Sequence, residues 1–266
     1  MSLKGSTALP TNHTFVICAY GESAYLEDCV KSVMEQTEPS NVIITTSTNL
    51  AHISNIAKLY GIDIYINTGT GTMQDNWNFG LQCAKTDFAT LCHQDDTYCS
   101  DYFRSIKPHL QDDVVFIHTG YWNVKEQVFF CNINNKIRRI LNTPLRFRAL
   151  QNMIFVKKSV LRFGNPVCCP SCTYHVASLR KPLFQSELMH GLDWDTYIDL
   201  ANVKGRIVYI SKRVCNKRMH CESATSLDIQ SGIRVKEDDY LFSRLWPRWV
   251  AKCLLTVYKK IYKFSL

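Results

Sequence analysis

Through roughly the first hundred residues, short apolar runs alternate with stretches whose apolar positions recur every three or four residues. "HTFVICAY" is a β-branched and aromatic run, and "GESAYLEDCVKSVMEQ" after it places Leu26, Cys29, Val30 and Val33 at helical spacing. "PSNVIITTST" reads as a second buried strand, "AHISNIAKLYG" as a second helix stopped by Gly61, and "IDIYIN" as a third strand. "MQDNWNFGLQCAKT" is a third amphipathic helix and "FATLCHQDD" a fourth strand. Strands alternating with helices at this interval predict right-handed crossovers and an α/β fold built on a mostly parallel, doubly wound sheet.

The fourth strand ends on two adjacent carboxylates, Asp95 and Asp96. Side by side they repel each other unless a cation or a set of donors sits against them. In doubly wound sheets ligands bind beyond the C-terminal strand ends, which is where this pair falls. The usual phosphate cradles are missing: "AYGESAYL" holds only Gly21, so there is no G-x-G-x-x-G, and no P-loop string occurs. A divalent cation, Mg2+ or Mn2+, held by the carboxylate pair is the natural substitute for neutralising a diphosphate.

Composition narrows the class further. At 266 residues and 46% hydrophobic content, the chain can bury one large core or two small ones. Many of the twelve cysteines lie inside apolar segments such as "FVICAY", as free buried thiols do, which favours a reducing, cytoplasmic setting. "MSLKGSTALPTNHT" lacks the apolar stretch of a signal peptide, and no apolar run approaches the ~20 residues of a spanning helix. The formal charge of +8 sits largely in the tail and comes with no nucleic-acid motif, so no nucleic-acid partner is expected.

Five ordered segments between Phe15 and Ser226 resemble the family-2-type glycosyltransferases of the A fold. "ICAYGESAYLEDCVKSVMEQT" is similar to the family's first strand, nucleotide-facing loop and S-x-x-x-Q-T helix end. "GTGTMQDNWNFGL" is similar to its Gly-rich approach to an Asn-bearing helix, and "HQDDTY" to its Asp-x-Asp-Asp strand end. "GLDWDTYIDL" is similar to its acidic segment ahead of a helix, and "RMHCESATS" to its Arg-x-His followed by Ser and Thr.

The resemblance implies a Rossmann-like nucleotide-binding half and transfer of a sugar, with inversion, from a nucleotide-sugar donor to a glycan or lipid-linked acceptor. It implies that Ala19, Tyr20, Glu22, Thr46, Asn78 and Asp95 face the donor, that Asp95, Asp96 and His220 hold the metal, and that Asp193 is the general base. The chain departs from the pattern twice: His93 stands where the first carboxylate of the metal motif belongs, and "TTST" ends the second strand where the family offers an Asp to the nucleobase. The implied organisation is one catalytic domain over 12–228, with a donor half to about 100 and an acceptor half beyond, followed by a tail over 229–266.

The chemistry needs those residue types whatever the family. A leaving diphosphate builds up negative charge that a cation bound by Asp95 stabilises, and the acceptor hydroxyl needs a carboxylate within about 3 Å to take its proton. Each residue also has a plainer reading. Asp95 and Asp96 suit a turn and N-cap ahead of "YCSDYF", Asp193 and Asp195 suit a first helical turn, His220 suits a solvated imidazole, and Trp77 and Trp194 suit a core. "CCPSC" has no second pair at zinc-ribbon spacing and is expected near the acceptor side. The basic stretch "NNKIRRILNTPLRFRALQN" suits either a loop that meets an anionic or lipid-diphosphate acceptor or a solvated surface. The rival functions are a catalytically silent nucleotide-sugar-binding or membrane scaffold protein and a sugar nucleotidyltransferase; the latter wants a basic Gly-rich loop that "AYGESAY" lacks.

In the tail, Trp246, Trp249, Val250, Cys253, Leu254, Val257, Tyr258 and Ile261 form one apolar stripe of an amphipathic helix, flanked by Arg244, Arg248, Lys252, Lys259 and Lys263. A stripe with a purely basic polar face suits an anionic bilayer interface, hence a peripheral place at the inner face of the cell membrane. The same stripe also suits packing on the core.

Overall fold

The computed structural model describes residues 11–220 and 233–263. The expected alternation is present: β1 (His13–Ala19), α1 (Leu26–Met34), β2 (Asn41–Thr46), α2 (Ala51–Tyr60), β3 (Asp63–Ile66), α3 (Met73–Cys83) and β4 (Phe88–His93). Gly61 stops α2 in the left-handed conformation, φ 65°, where its backbone N–H closes the helix onto Ala57 and Lys58. Beyond β4 come β5 (Thr97–Tyr98), α4 (Tyr102–Ile106), β6 (Val114–Lys125), β7 (Val128–Phe130), α5 (Ile133–Leu141) and α6 (Ile154–Leu161). The chain closes with β8 (Cys172–His175), α7 (Leu192–Leu200), β9 (Arg206–Arg218), α8 (Ile233–Leu245) and α9 (Arg248–Lys263).

The sheet runs β3-β2-β1-β4-β8-β6-β9-β5, with β7 paired to β6. Its first four strands are parallel, and β6 lies parallel to β9. The second half is mixed, because β8 enters antiparallel between β4 and β6 while β5 pairs antiparallel with β9. Strand alternation supplies a core to each face. Phe15 and Ile17 turn toward α1, α2 and α4, whereas Val16 turns toward α3, α6, α7 and α8.

The C-terminal helices belong to the second of these cores. Leu241 and Phe242 of α8 are fully buried, as are Ala251 and Leu255 of α9 to within 9%. Trp246 Nε1 donates to the Arg162 carbonyl at 2.8 Å and Tyr258 Oη to the Phe163 carbonyl at 2.6 Å. Next to that carbonyl, Gly164 has φ 123°, and any Cβ there would strike the Tyr258 ring. The structure therefore divides the stripe read from the sequence. Leu254 and Tyr258 turn to the core while Trp249, Cys253 and Val257 stay exposed. The expected domain boundary at 228 lies outside the described residues, as does the Ser-Thr part of the "RMHCESATS" segment.

Candidate active site

The end of β4 assembles the first half of the site. The Asp96 amide donates to the His93 carbonyl at 3.2 Å, a tight turn that carries Asp95 and Asp96 out of the sheet. Strand β5 follows and α4 begins only at Tyr102, so the pair does not cap a helix. His93, Asp95 and Asp96 each present a ligand atom, all within 4.8 Å of one another. Asp96 is 2% exposed and its Oδ1 accepts from the Arg218 backbone N–H at 2.8 Å. Burial and the neighbouring Asp95 carboxylate push its pKa well up, against the pull of Arg218 and Lys217.

The His93 ring stacks on Trp77 with centroids 5.1 Å apart, and burial lowers its pKa to about 4, so it is a neutral imidazole at pH 7. Its buried Nε2 has no partner among the described residues. His220 Nε2 lies 3.0 Å from Asp95 Oδ2. Two carboxylates, a neutral imidazole with an unpaired buried nitrogen and a second histidine in contact with them form a donor set that fits Mg2+ or, with nitrogen included, Mn2+. The structure thus brings Asp95, Asp96 and His220 together and sets His93 beside them.

Arg218 organises this corner. Its Nε donates to the Asp95 carbonyl at 3.0 Å, a terminal nitrogen pairs with Asp28 at 2.9 Å, and the guanidinium lies 4.3 Å over the Tyr25 ring. The arginine belongs to the quoted Arg-x-His string, yet nothing local announces Asp28 or Tyr25 as its partners.

The residues expected to face the donor fall into two groups. Ala19 ends β1, and the exposed Tyr20 exchanges two backbone bonds of 2.9 Å with the Gln94 side chain, tying the loop after β1 to the loop after β4. Gly21 N–H donates to Thr48 Oγ1 at 2.9 Å, and the exposed Glu22 stands beside it. Thr46, at the end of β2, accepts from the Thr48 N–H at 3.0 Å, so the hydroxyls of "TTST" fold the loop back on itself. Asn78 sits apart from these loops. Its Nδ2 donates to the Phe184 carbonyl at 2.8 Å and its Oδ1 accepts from the Phe184 N–H at 2.9 Å.

Asp193 opens α7 on the other side. Its Oδ2 accepts from Asn165 Nδ2 at 2.8 Å and its Oδ1 from the Trp194 N–H at 2.7 Å. Burial raises its pKa, opposed by the Trp194 hydrogen bond and by the charges of Arg234 and Lys217. A raised carboxylate is the poise a general base needs. Asp195, two residues on, has a different setting: it accepts from Ser186 Oγ at 2.6 Å and pairs with Arg244. Lys217 lowers the pKa of both Asp96 and Asp193, which places its ammonium within Coulombic reach of both halves of the site. The buried Cys168 of "CCPSC" is reached by the charges of Lys217, Asp96 and Asp193 alike, so this stretch lies near both halves of the site. All described cysteines are free.

A sequence model of "Glycosyl transferase family 2" matches residues 14–174, more than half of the chain. The chain belongs to this family. Among curated proteins, none matches it. Solved family-2-like structures share its fold at low identity. S. aureus TarS 1–349 in complex with UDP-GlcNAc is 14% identical with a TM-score of 0.61, over 96% of this chain and 73% of that one. The mannosyltransferase PcManGT from Pyrobaculum calidifontis, in complex with GDP-Man and Mn2+, is 13% identical with a TM-score of 0.63, over 92% and 70%. Glucosyl-3-phosphoglycerate synthase from Mycobacterium tuberculosis, with Mn2+ and UDP-glucose, is 14% identical with a TM-score of 0.57, over 88% and 78%. The chain is accordingly a glycosyltransferase of the A fold.

Proposed function

We propose that this protein is a metal-dependent, inverting glycosyltransferase that moves a sugar from a nucleoside-diphosphate sugar to an acceptor hydroxyl, in the synthesis of a surface polysaccharide or lipid-linked glycan. The observation that carries the reading is the pairing of two unlike carboxylate settings across Lys217: a His93-Asp95-Asp96 cluster on one side and a raised, singly placed Asp193 on the other. His93, Asp95, Asp96 and His220 would hold the cation, which when bound supplies Lewis-acid stabilisation of the leaving diphosphate.

The chain's own groups do the rest. The interlocked loops of Tyr20–Gln94 and Gly21–Thr48 shape the donor side. Asp193, held by Asn165 and the Trp194 N–H, takes the proton of the attacking hydroxyl. Lys217 balances the charge of both carboxylate groups. Inversion needs only one such base, because the hydroxyl attacks the face opposite the leaving group.

No helix of the described residues is long and apolar enough to cross a membrane. Peripheral attachment to an anionic surface is supported by the exposed Trp249 and Val257 of α9, flanked by Arg248, Lys252 and Lys259. The same sign extends inward, for the chain has no acidic residue between Glu126 and Glu187.

The test is transfer or hydrolysis of a panel of nucleotide-sugars with Mn2+, with EDTA, and in Asp95→Asn. Loss of turnover by about 10²-fold in the variant and with chelator is expected. Undiminished turnover with EDTA present refutes the metal reading.

A further inference from the structure

A second group of polar side chains converges away from the strand-end carboxylates, where β6, α5 and β9 meet. Tyr121, Asn135, Arg138, Arg139, Asn142 and Arg213 help to line a small, open cleft that no carboxylate borders. The arginines are held by neutral groups. Arg138 donates to Tyr121 Oη at 2.8 Å, and Arg213 lies 4.3 Å over the Trp122 ring and 3.4 Å from Cys131 Sγ. Among the described residues none of the three cleft arginines pairs with an acid, so their charge is uncompensated.

Asn135 supplies an independent pointer to a ligand. It is 7% exposed, and its Oδ1 accepts from the Asn132 backbone N–H at 3.2 Å and from Asn123 Nδ2 at 2.7 Å. A backbone N–H can only donate, which fixes the orientation of the amide. Among the described residues its buried Nδ2 is then a donor with no partner. Asn142 is the complement: 2% exposed, it donates Nδ2 to the Pro166 carbonyl at 3.0 Å and, among the described residues, leaves Oδ1 unpaired. Buried polar groups are rarely left so, and each such orphan asks for a partner that the described residues do not supply.

We propose that this cleft is an anion subsite for the acceptor, taking a phosphate group with a neighbouring hydroxyl. The guanidinium groups of Arg138, Arg139 and Arg213 face the phosphate charge, Asn135 Nδ2 donates to a phosphate oxygen, and the hydroxyl donates to Asn142 Oδ1. This deepens the transferase reading and rests on it. Arg213 and Lys217 are four residues apart on β9, roughly 13 Å at strand rise. Tyr121, which contacts Arg138, also lies within reach of the Lys217 charge. The acceptor's phosphate therefore sits a short glycan's length from the reacting hydroxyl. A phosphorylated soluble glycan and a lipid phosphate headgroup share this chemistry.

The full chain, in EDTA and without donor, is titrated with inorganic phosphate and followed by calorimetry and thermal shift. Saturable binding is expected, weakened about tenfold or more by Asn135→Asp, which keeps the Oδ1 contacts but sets a carboxylate against the phosphate, and by Arg139→Ala. Arg139 is exposed, so its variant carries the test if Asn135→Asp fails to fold. Asp95→Asn should bind phosphate as the parent does, which separates this site from the donor site. Displacement by glucose 1-phosphate assigns a soluble source. Displacement only by phosphatidylcholine vesicles containing phosphatidic acid assigns a lipid headgroup. Absence of saturable binding, or binding unmoved by both cleft variants and thus an adventitious ion only, overturns the proposal. Since neither metal nor donor is present, that failure would leave the transferase reading standing.

Discussion

Glu237 of α8 holds the start of α7. Its carboxylate accepts three backbone N–H bonds of 2.8 Å, from Met189, His190 and Gly191, while the residue is only 9% exposed. Gly191 is the N-cap of α7 and the other two N–H groups belong to the loop leading into it, so the carboxylate pins the entry to the helix, where a negative charge also complements the helix dipole. Each hydrogen bond to a charged group contributes about 1.5–3 kcal/mol, but water entering the gap returns part of that, so Glu237→Ala should cost ~3–5 kcal/mol in total. For a chain of this size that is a fall in Tm of roughly 10 °C. Glu237→Gln, which keeps one acceptor oxygen, should cost less. Asp193 lies in the first turn of that helix, two residues after Gly191, so loosening this joint should also lower kcat by about tenfold with donor Kd unchanged. Calorimetric or fluorescence melting, with the exposed Glu187→Ala as control, reads the first effect, and steady-state transfer with a donor-binding titration reads the second. If Glu237→Ala melts with the control, the three hydrogen bonds do not contribute and the account of how α7 is positioned fails.

Asp193→Asn should leave donor affinity near normal and cut transfer by roughly 10²- to 10⁴-fold; lost donor binding with unchanged saturating rate would reassign Asp193 to the donor site. Because burial raises the pKa of Asp193, the acid limb of kcat should fall at a higher pH than an ordinary aspartate gives, and a limb at the ordinary value would remove the base assignment. His13 and His118 are fully buried with pKa lowered to about 3, so the folded state holds them neutral while the unfolded chain protonates near 6.5. Stability from this source is complete above pH 6.5 and declines as pH falls toward about 3, by ~2 kcal/mol per histidine at pH 5; urea midpoints should drop accordingly between pH 7.5 and 5, and drop less in His13→Gln. Deleting the chain from Trp246 strips Ala251, Leu255 and Tyr258 from the core, so the truncated protein should lose several kcal/mol of stability, whereas Trp249→Ser should melt normally and weaken only sedimentation with anionic liposomes.

The sequence by itself determined the β1-to-β4 half, because each strand and helix there is defined by spacing within a dozen residues, and so was the placing of Asp95 and Asp96 at a strand exit. Periodicity also showed that α9 is amphipathic. It did not show that Leu255 and Tyr258 turn inward while Trp249 and Val257 turn outward, since a stripe records apolarity and not what covers it. The same holds for polar partners. Asn78 was expected to face the donor, and its amide is engaged by a backbone 106 residues away, while Asp193 and Asp195 are set apart by partners such as Asn165, Ser186 and Arg244. His93 became a candidate ligand through a buried nitrogen with no partner among the described residues, and Lys217 matters because β9 brings its charge within reach of two carboxylate groups far apart in the chain. Helical and strand periods are short-range properties written into neighbouring side chains. Which acid is raised, which amide is spent and which face is covered depend on desolvation and on partners that only the closing of the sheet brings within a few ångströms.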